Sequence, residues 1–299
     1  MRKILLTILF GLFLIVAAAC SSDDAADVEE ESEDASEEST ADDDTIVMGL
    51  INWPENIAVN HVWQVILEEK GYDVELNPLE MGTIMAALET GDLDIGIEVW
   101  LPVQDKSYYE QYKDTVVFAD EPWYDNGVVG LVVPEYMEDI NSIEDLNDNK
   151  DLFEGEITGF EPGAGTMEVT EDLINEYDLD FELVPSSEPA MLTVIREAVE
   201  EEGAVVAPLW QPHGIFSEVD LKFLDDPQEI YGGVEEIYLA TKTDFADEYP
   251  EVNDWLMNWS VDDETIGDLI NFVVENDDHE AGAREWVEEN QDLVEEWTK

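Results

Sequence analysis

Residues 45–99 read TIVMGLINWPENIAVNHVWQVILEEKGYDVELNPLEMGTIMAALETGDLDIGIEV. Thr45–Ile51 is a short apolar run and predicts a strand. Val59, Val62, Trp63, Ile66 and Leu67 recur at helical spacing, so Val59–Lys70 predicts a helix that Gly71 ends. Tyr72–Leu76 predicts a strand, Thr83–Leu88 a helix and Leu93–Val99 another strand. Beyond it, Gly127–Val133, Glu156–Phe160, Phe181–Val184, Ala204–Pro208 and Glu235–Thr241 predict strands. Thr166–Tyr177 predicts a helix, and Ser187 caps another that carries Pro189 in its first turn and runs to Glu202. The last sixty residues are helical, with Asp278 as cap of the final helix. This alternation predicts an α/β protein whose sheets are covered on both faces.

The apolar segments Gly127–Val133 and Glu235–Thr241 flank a middle block of about a hundred residues and are expected to cross between two lobes. Residues 45–133 with 235–299 then form a discontinuous first lobe, and 134–234 the second. A ligand of such a fold sits in the cleft beyond the carboxyl ends of strands. Ahead of the folded part, Arg2 and Lys3 precede an apolar stretch, Ile4–Val16, and three alanines lead to Cys20. Residues 1–20 therefore predict a lipoprotein export signal, with Cys20 the lipidated first residue of the mature chain. Residues 21–44 hold 13 acids and no base and predict a disordered tether. Cys20 is the only cysteine, so no internal disulfide is expected.

The chain has 77 acidic and 11 basic residues, a net charge of −66. Such a charge argues against nucleic acid and anionic lipid headgroups as partners. It fits a halophilic surface, because at molar salt the screening length is about 3 Å and like charges scarcely repel.

The nine tryptophans fall into two groups. Trp63, Trp255, Trp259, Trp286 and Trp297 lie in helical patterns and are expected in the core. Trp53, Trp100 and Trp210 each end a predicted strand, in GLINWP, IGIEVWLP and VVAPLWQP, with a proline one or two residues on. Three aromatic faces at strand ends suit a quaternary ammonium, which donates no hydrogen bond and is held by cation–π attraction. Trp123, in EPWYDN, is a fourth candidate, with Tyr124 and Asn56 beside the same segments. A glycine-rich turn, Phe160-Glu161-Pro162-Gly163-Ala164-Gly165-Thr166-Met167, opens a helix whose free N–H groups suit a carboxylate. It lacks the lysine of a P-loop. The two features together describe a zwitterion.

These segments resemble the glycine betaine and proline betaine substrate-binding lipoproteins of ABC osmoprotectant importers. The resemblance runs over nearly all of 45–299 and is specific at INWPENIAV, EVWLPVQDK, GFEPGAGTM, SSEPAML and LWQPHG. It implies a two-lobed periplasmic-binding-protein-like (type II) α/β fold that closes on its ligand. It also implies an aromatic prism at Trp53, Trp100 and Trp210 with carboxylate-binding amides at Gly165 and Thr166. The partners implied are a membrane permease and its ATPase, with the receptor itself a lipid-anchored monomer on the outer face of the cell membrane. Two positions depart from the family pattern. Asp105 stands where some relatives carry a carboxylate-binding histidine, and Gly214 replaces the second aromatic of WxPHW, leaving His213 with an open role. Both changes bear on the ligand, and they bring proline betaine, carnitine or choline into question beside glycine betaine.

Two rival readings are weaker. His61, His213 and His279 are scattered and form no triad or metal spacing, so no catalytic residue or cofactor is expected. Asp145, Asn147, Asn149, Asp151 and Glu156 match several positions of a calcium loop, but Lys150 fills its obligatory glycine, which favours a solvated loop over a cation-binding acidic protein.

Overall fold

The chain is seen as a computed structural model that describes residues 45–299, so the expected signal, the Cys20 lipidation site and the acidic tether lie outside the described residues. Strand β1 (Thr45–Leu50) feeds α1 (Pro54–Glu69), followed by β2 (Asp73–Pro78), α2 (Met81–Thr90), β3 (Ile95–Leu101), a short α3 (Lys106–Tyr112), a two-residue β4 (Val117–Phe118) and β5 (Tyr124–Pro134). Two 3-10 turns, Ile143–Asp145 and Asn147–Phe153, lead to β6 (Glu156–Thr158), α4 (Gly165–Glu176), β7 (Glu182–Val184), α5 (Glu188–Glu200), β8 (Ala207–Gln211), α6 (Ile215–Glu218) and β9 (Leu221–Phe223). The chain returns in β10 (Glu235–Thr241) and ends in α7 (Phe245–Glu248), α8 (Pro250–Asn258), α9 (Asp263–Val274), α10 (His279–Glu289) and α11 (Gln291–Trp297).

Helix α1 begins five residues before the predicted Val59. Pro54 occupies its first turn, where a fixed φ is favourable and no N–H is needed. The early start was hidden because Glu55, Asn56 and Asn60 are polar yet buried, which breaks the apolar stripe. Asp278 caps α10, its side chain accepting from the Ala281 N–H at 3.2 Å, whereas the final helix is α11, which Asn290 precedes. Ser187 precedes α5 but makes no side-chain cap.

The main sheet runs β2-β1-β3-β10-β5-β8, with β4 against β10 and β9 against β5. Strands β1, β2 and β3 are parallel, and β10 lies antiparallel to β3. Strand β5 serves two neighbourhoods. Its first residues pair with β10, and Val128–Pro134 pair with β8 and β9. Strand β10 pairs with β3, β4 and the start of β5. Strands β6 and β7 form a separate parallel pair. Helix α1 packs against α9 and α10. Around this contact the buried indoles of Trp63, Trp123, Trp259, Trp286 and Trp297 form one continuous network. Trp123 stacks on Trp259 at 5.1 Å and 9°, and Trp286 on Trp297 at 5.8 Å and 16°. Trp255 sits at the edge, half-buried beneath the Lys70 ammonium.

The calcium-loop candidates serve the fold. The Asp145 carboxylate accepts from the N–H groups of Asn141 and Ser142 at 2.9 Å each, and Lys150 pairs with Asp180 at 2.5 Å. No group of three or more metal-ligating side chains occurs among the described residues.

Candidate functional site

The chain segments that follow β1, end β3, open α4 and run through β8 converge on one narrow cavity. Trp53, Trp100 and Trp210 line it, and Gly165 and Thr166 form its wall at the start of α4. All five residues expected to bind ligand are thus brought together. Phe160, Val129, Gln104, Asp105 and Glu55 complete the lining.

Local geometry explains how the indoles are held. Trp53 is the residue before the first turn of α1, in extended conformation, so its side chain leaves the strand line. It meets Trp210 at 5.8 Å with the planes tilted by 59°, and Phe160 packs on both, at 6.1 Å from Trp53 and 5.2 Å from Trp210. Trp210 lies inside β8, which runs three residues past its predicted end. Trp100 lies in β3, and its indole N–H donates to Glu98 Oε1. The room for that indole comes from Gly127 in β5. A Cβ there would lie 2.6 Å from the Trp100 ring. Gly165 is demanded in the same way, because a Cβ would lie 2.1 Å from the Gln104 carbonyl oxygen and 2.6 Å from Asp105 Oδ1. The amino end of α4 therefore rests directly on the Gln104–Asp105 turn.

The remaining candidates lie elsewhere. Trp123 belongs to the core network on Trp259, and Tyr124 donates its hydroxyl to Asp263 at 3.0 Å, so neither lines the cavity. Asn56 stands behind the lining, where its Oδ1 accepts from the Ile51 N–H at 2.7 Å and its Nδ2 donates to Glu98 Oε2 at 3.1 Å. His213 is buried with its ring edge on Trp210 at 4.9 Å. Its Nδ1 accepts from the Ile215 N–H at 3.1 Å, which leaves Nε2 to face Glu188 Oε1 at 3.2 Å, a structural arrangement that steadies Trp210 from behind. Gly214 faces an outer cleft beside Ile270 and does not line the aromatic cavity, so its missing ring does not enlarge the ligand space.

Acids cluster around the cavity. Asp105 is buried, with Oδ2 accepting from the Trp100 N–H at 2.8 Å, and burial pushes its carboxyl up to about 8, with Glu98 and Glu235 adding to the rise. Burial raises Glu98 to about 7 against the lowering effect of its Trp100 and Asn56 donors. Glu235 is likewise raised to about 7 by burial, while it accepts from the N–H groups of Val103 and Gln104 at 3.2 Å each. Glu55 is fully buried, and burial, with Glu98 beside it, holds its carboxyl well above the usual carboxylate range, with the Trp210 indole alongside. No lysine or arginine lines the cavity. Neither Glu55 nor Phe160 was singled out as a site residue by sequence reasoning. Glu55 lies ahead of the helix start predicted at Val59, and a lone phenylalanine before a glycine turn reads as packing.

Both the sequence and the fold match known proteins. The family model for the substrate-binding domain of ABC-type glycine betaine transport systems, OpuAC, matches residues 44–289. The glycine betaine/carnitine transport binding protein GbuC of Listeria monocytogenes is 34% identical over 145 residues, 48% of each chain, so the match spans about half the length of that relative. The solved lactococcal OpuAC, closed on glycine betaine, superposes with a TM-score of 0.80 at 31% identity, covering 86% of this chain and all of the other. The glycine betaine/L-proline-binding protein ProX of Borrelia burgdorferi superposes at 0.81 with 32% identity, covering 85% of this chain and 97% of the other. The fold is the two-lobed one of these substrate-binding proteins. The chain belongs to the OpuAC family of substrate-binding domains of ABC-type glycine betaine transport systems.

Proposed function

We propose that this protein is an extracytoplasmic receptor that captures a quaternary-ammonium osmolyte, glycine betaine or a close relative, and delivers it to the permease of an ABC importer. The observation that carries this reading is the single cavity in which the indoles of Trp53, Trp100 and Trp210 stand beside the first residues of α4. Each aromatic face contributes about 0.5–2 kcal/mol to a desolvated methylated ammonium. The amides of Gly165 and Thr166, at the positive end of a twelve-residue helix, receive the carboxylate of a zwitterion. The lactococcal relative that holds glycine betaine supports that ligand first, and the name of GbuC brings carnitine beside it.

The lobes in this reading are 45–133 with 235–299, and 134–234. They hinge about β5, which pairs to both sides, and closure brings Gly165 and Thr166 onto the ligand. Lipidated Cys20 holds the monomeric receptor to the outer membrane face through the 21–44 tether. The task is capture and release, and no catalytic step belongs to it. Calorimetry at molar salt with glycine betaine, proline betaine, carnitine and choline tests the ligand class. Saturable binding of at least one is expected, and Trp100→Ala weakens it by about tenfold or more. Silence with all four ligands would sink the reading.

A further inference from the structure

Behind the cavity wall, one buried carboxylate joins the segments that carry two of the indoles. Glu98 lies on β3 two residues before Trp100, is buried, and does not itself line the cavity. Its Oε1 accepts from the Trp100 indole N–H, and its Oε2 accepts from Asn56 Nδ2 at 3.1 Å. The Asn56 amide has one orientation, because its Oδ1 accepts from the Ile51 N–H at 2.7 Å and from Asn60 Nδ2 at 2.9 Å. Two fixed donors therefore converge on the Glu98 side chain. A carboxylate satisfies both, since each of its oxygens only accepts; an amide has a single acceptor and would turn its own N–H groups on the second donor. Glu55 faces the same carboxylate from α1. Its carboxyl is held well above the usual range by burial and by Glu98, so it keeps a proton to donate to Glu98. The Trp53 indole N–H, by contrast, meets no acceptor.

We propose that Glu98 is a positioning residue of the aromatic cavity, which fixes the Trp100 ring by its N–H and ties it, through Asn56, to the strand end that carries Trp53. The proposal rests on the quaternary-ammonium reading of the cavity. The Ile51 N–H held by Asn56 is two residues ahead of Trp53, so a single carboxylate spans both chain segments. Elsewhere the Trp100 ring lies against Gly127, where an added Cβ would come within 2.6 Å of it. A ring seated on backbone and held by its N–H is already in place before a ligand arrives, so binding carries no cost of ordering it. The hydrogen bond has a second effect. It is charge-assisted, and a carboxylate that draws on the N–H proton leaves the indole ring richer in electrons. A richer ring face attracts a methylated ammonium more strongly. Glu98 thus acts on the ligand through Trp100, and removing the indole N–H removes most of its influence.

The test is a double-mutant cycle. Glycine betaine and choline are titrated at molar salt into the parent, Glu98→Gln, Trp100→Phe and the double variant, with denaturant unfolding of each followed alongside. Glu98→Gln is expected to weaken binding about tenfold in the parent but less than about twofold in Trp100→Phe, which has no N–H to hold and lets the amide oxygen serve Asn56. Glu98→Asp keeps the carboxylate, drawn back by one methylene, and should recover part of the loss. The ultraviolet resonance Raman difference between the parent and Trp100→Phe should show a strongly hydrogen-bonded indole N–H, and that signature should vanish when the same difference is taken in the Glu98→Gln background. Equal weakening in both backgrounds assigns Glu98 a role independent of Trp100 and overturns the proposal, as does undiminished binding by Glu98→Gln. Where Glu98→Gln does not fold, the cycle with Glu98→Asp decides, a smaller loss being expected in the parent and none in Trp100→Phe. A parent that binds neither ligand overturns the quaternary-ammonium reading, whereas a parent that binds with an additive cycle overturns the role of Glu98 alone.

Discussion

The indoles of Trp63, Trp123, Trp259, Trp286 and Trp297 and those of Trp53, Trp100 and Trp210 are all buried, yet the two groups are built differently. In the first, rings stack or meet edge-on with each other. In the second, Trp53 and Trp210 lean on Phe160 and each other at open angles around unfilled space, and acids stand among them. Buried Asp94 is paired with Lys242 at 2.9 Å, whereas Glu55, Glu98, Asp105 and Glu235 are buried without any base. Burial alone therefore does not mark a core. A core also removes uncompensated charge, and the cavity keeps it for something that arrives from outside.

The sharpest way to break this contrast is truncation on each side. Trp259→Ala opens a hole in the stacked network and is expected to cost about 3–5 kcal/mol of stability, read by denaturant unfolding. Trp53→Ala removes a ring that already borders empty space, so its cost in stability should be about 2 kcal/mol lower, while affinity for the osmolyte falls about tenfold or more. Equal destabilisation by the two variants would erase the distinction. Gly165→Ala probes the cavity without touching an indole. Its Cβ would meet the Gln104 carbonyl oxygen at 2.1 Å, an overpacking worth about 1–3 kcal/mol that pushes α4 off the Gln104–Asp105 turn. Affinity should drop by about tenfold or more, with a smaller loss of stability than Trp259→Ala brings.

The acids supply the next contrast, through pH. Asp105 is raised to about 8, and Glu98 and Glu235 to about 7, each by burial. The folded chain thus holds more protons than the unfolded chain between the ordinary carboxylate range, about 4, and these raised values. Stability therefore falls as pH rises through that window and levels off above it, opposite to the sign for a salt-bridged carboxylate. At molar salt, where surface repulsion is screened, the unliganded protein should lose on the order of 2 kcal/mol between about pH 5 and pH 8, a fall of roughly 4–8 °C in Tm. A rise across the same interval would mean that these carboxyls are ionised and compensated in the folded state.

What sequence pattern could reach follows from range. The strand and helix alternation of 45–99 was legible because it depends on spacing within a few residues. Trp53, Trp100 and Trp210 were legible because a strand followed by proline must turn, and the residue at the turn points into the cleft. Trp123 was misplaced because its proline precedes it, so the chain runs on into β5, and its partner Trp259 is far away in sequence. Glu55 was invisible for a similar reason. Its meaning depends on Glu98, Glu188 and Trp210, which come from three other segments and meet only in the fold.

The smallest effect is expected from the more conspicuous of the two departures from the family pattern. Gly214 replaces an aromatic ring directly after His213, and by sequence it belongs with the ligand site. In the fold it immediately precedes α6 with φ −61°, a conformation open to any residue, and faces Ile270 at a distance of 3.9 Å from an added Cβ. The surrounding cleft is lined by Tyr124, Asn126, Gln211, His213, Asp263 and Asn271, none of which lines the aromatic cavity. A ring placed there can touch neither the cation nor its carboxylate. Gly214→Phe should therefore leave osmolyte affinity within about threefold and change stability by about 0.5 kcal/mol or less. A larger gain in affinity would show that packing behind His213 is transmitted through Trp210 to the ligand, and would move the boundary between site and scaffold outward by one layer of side chains.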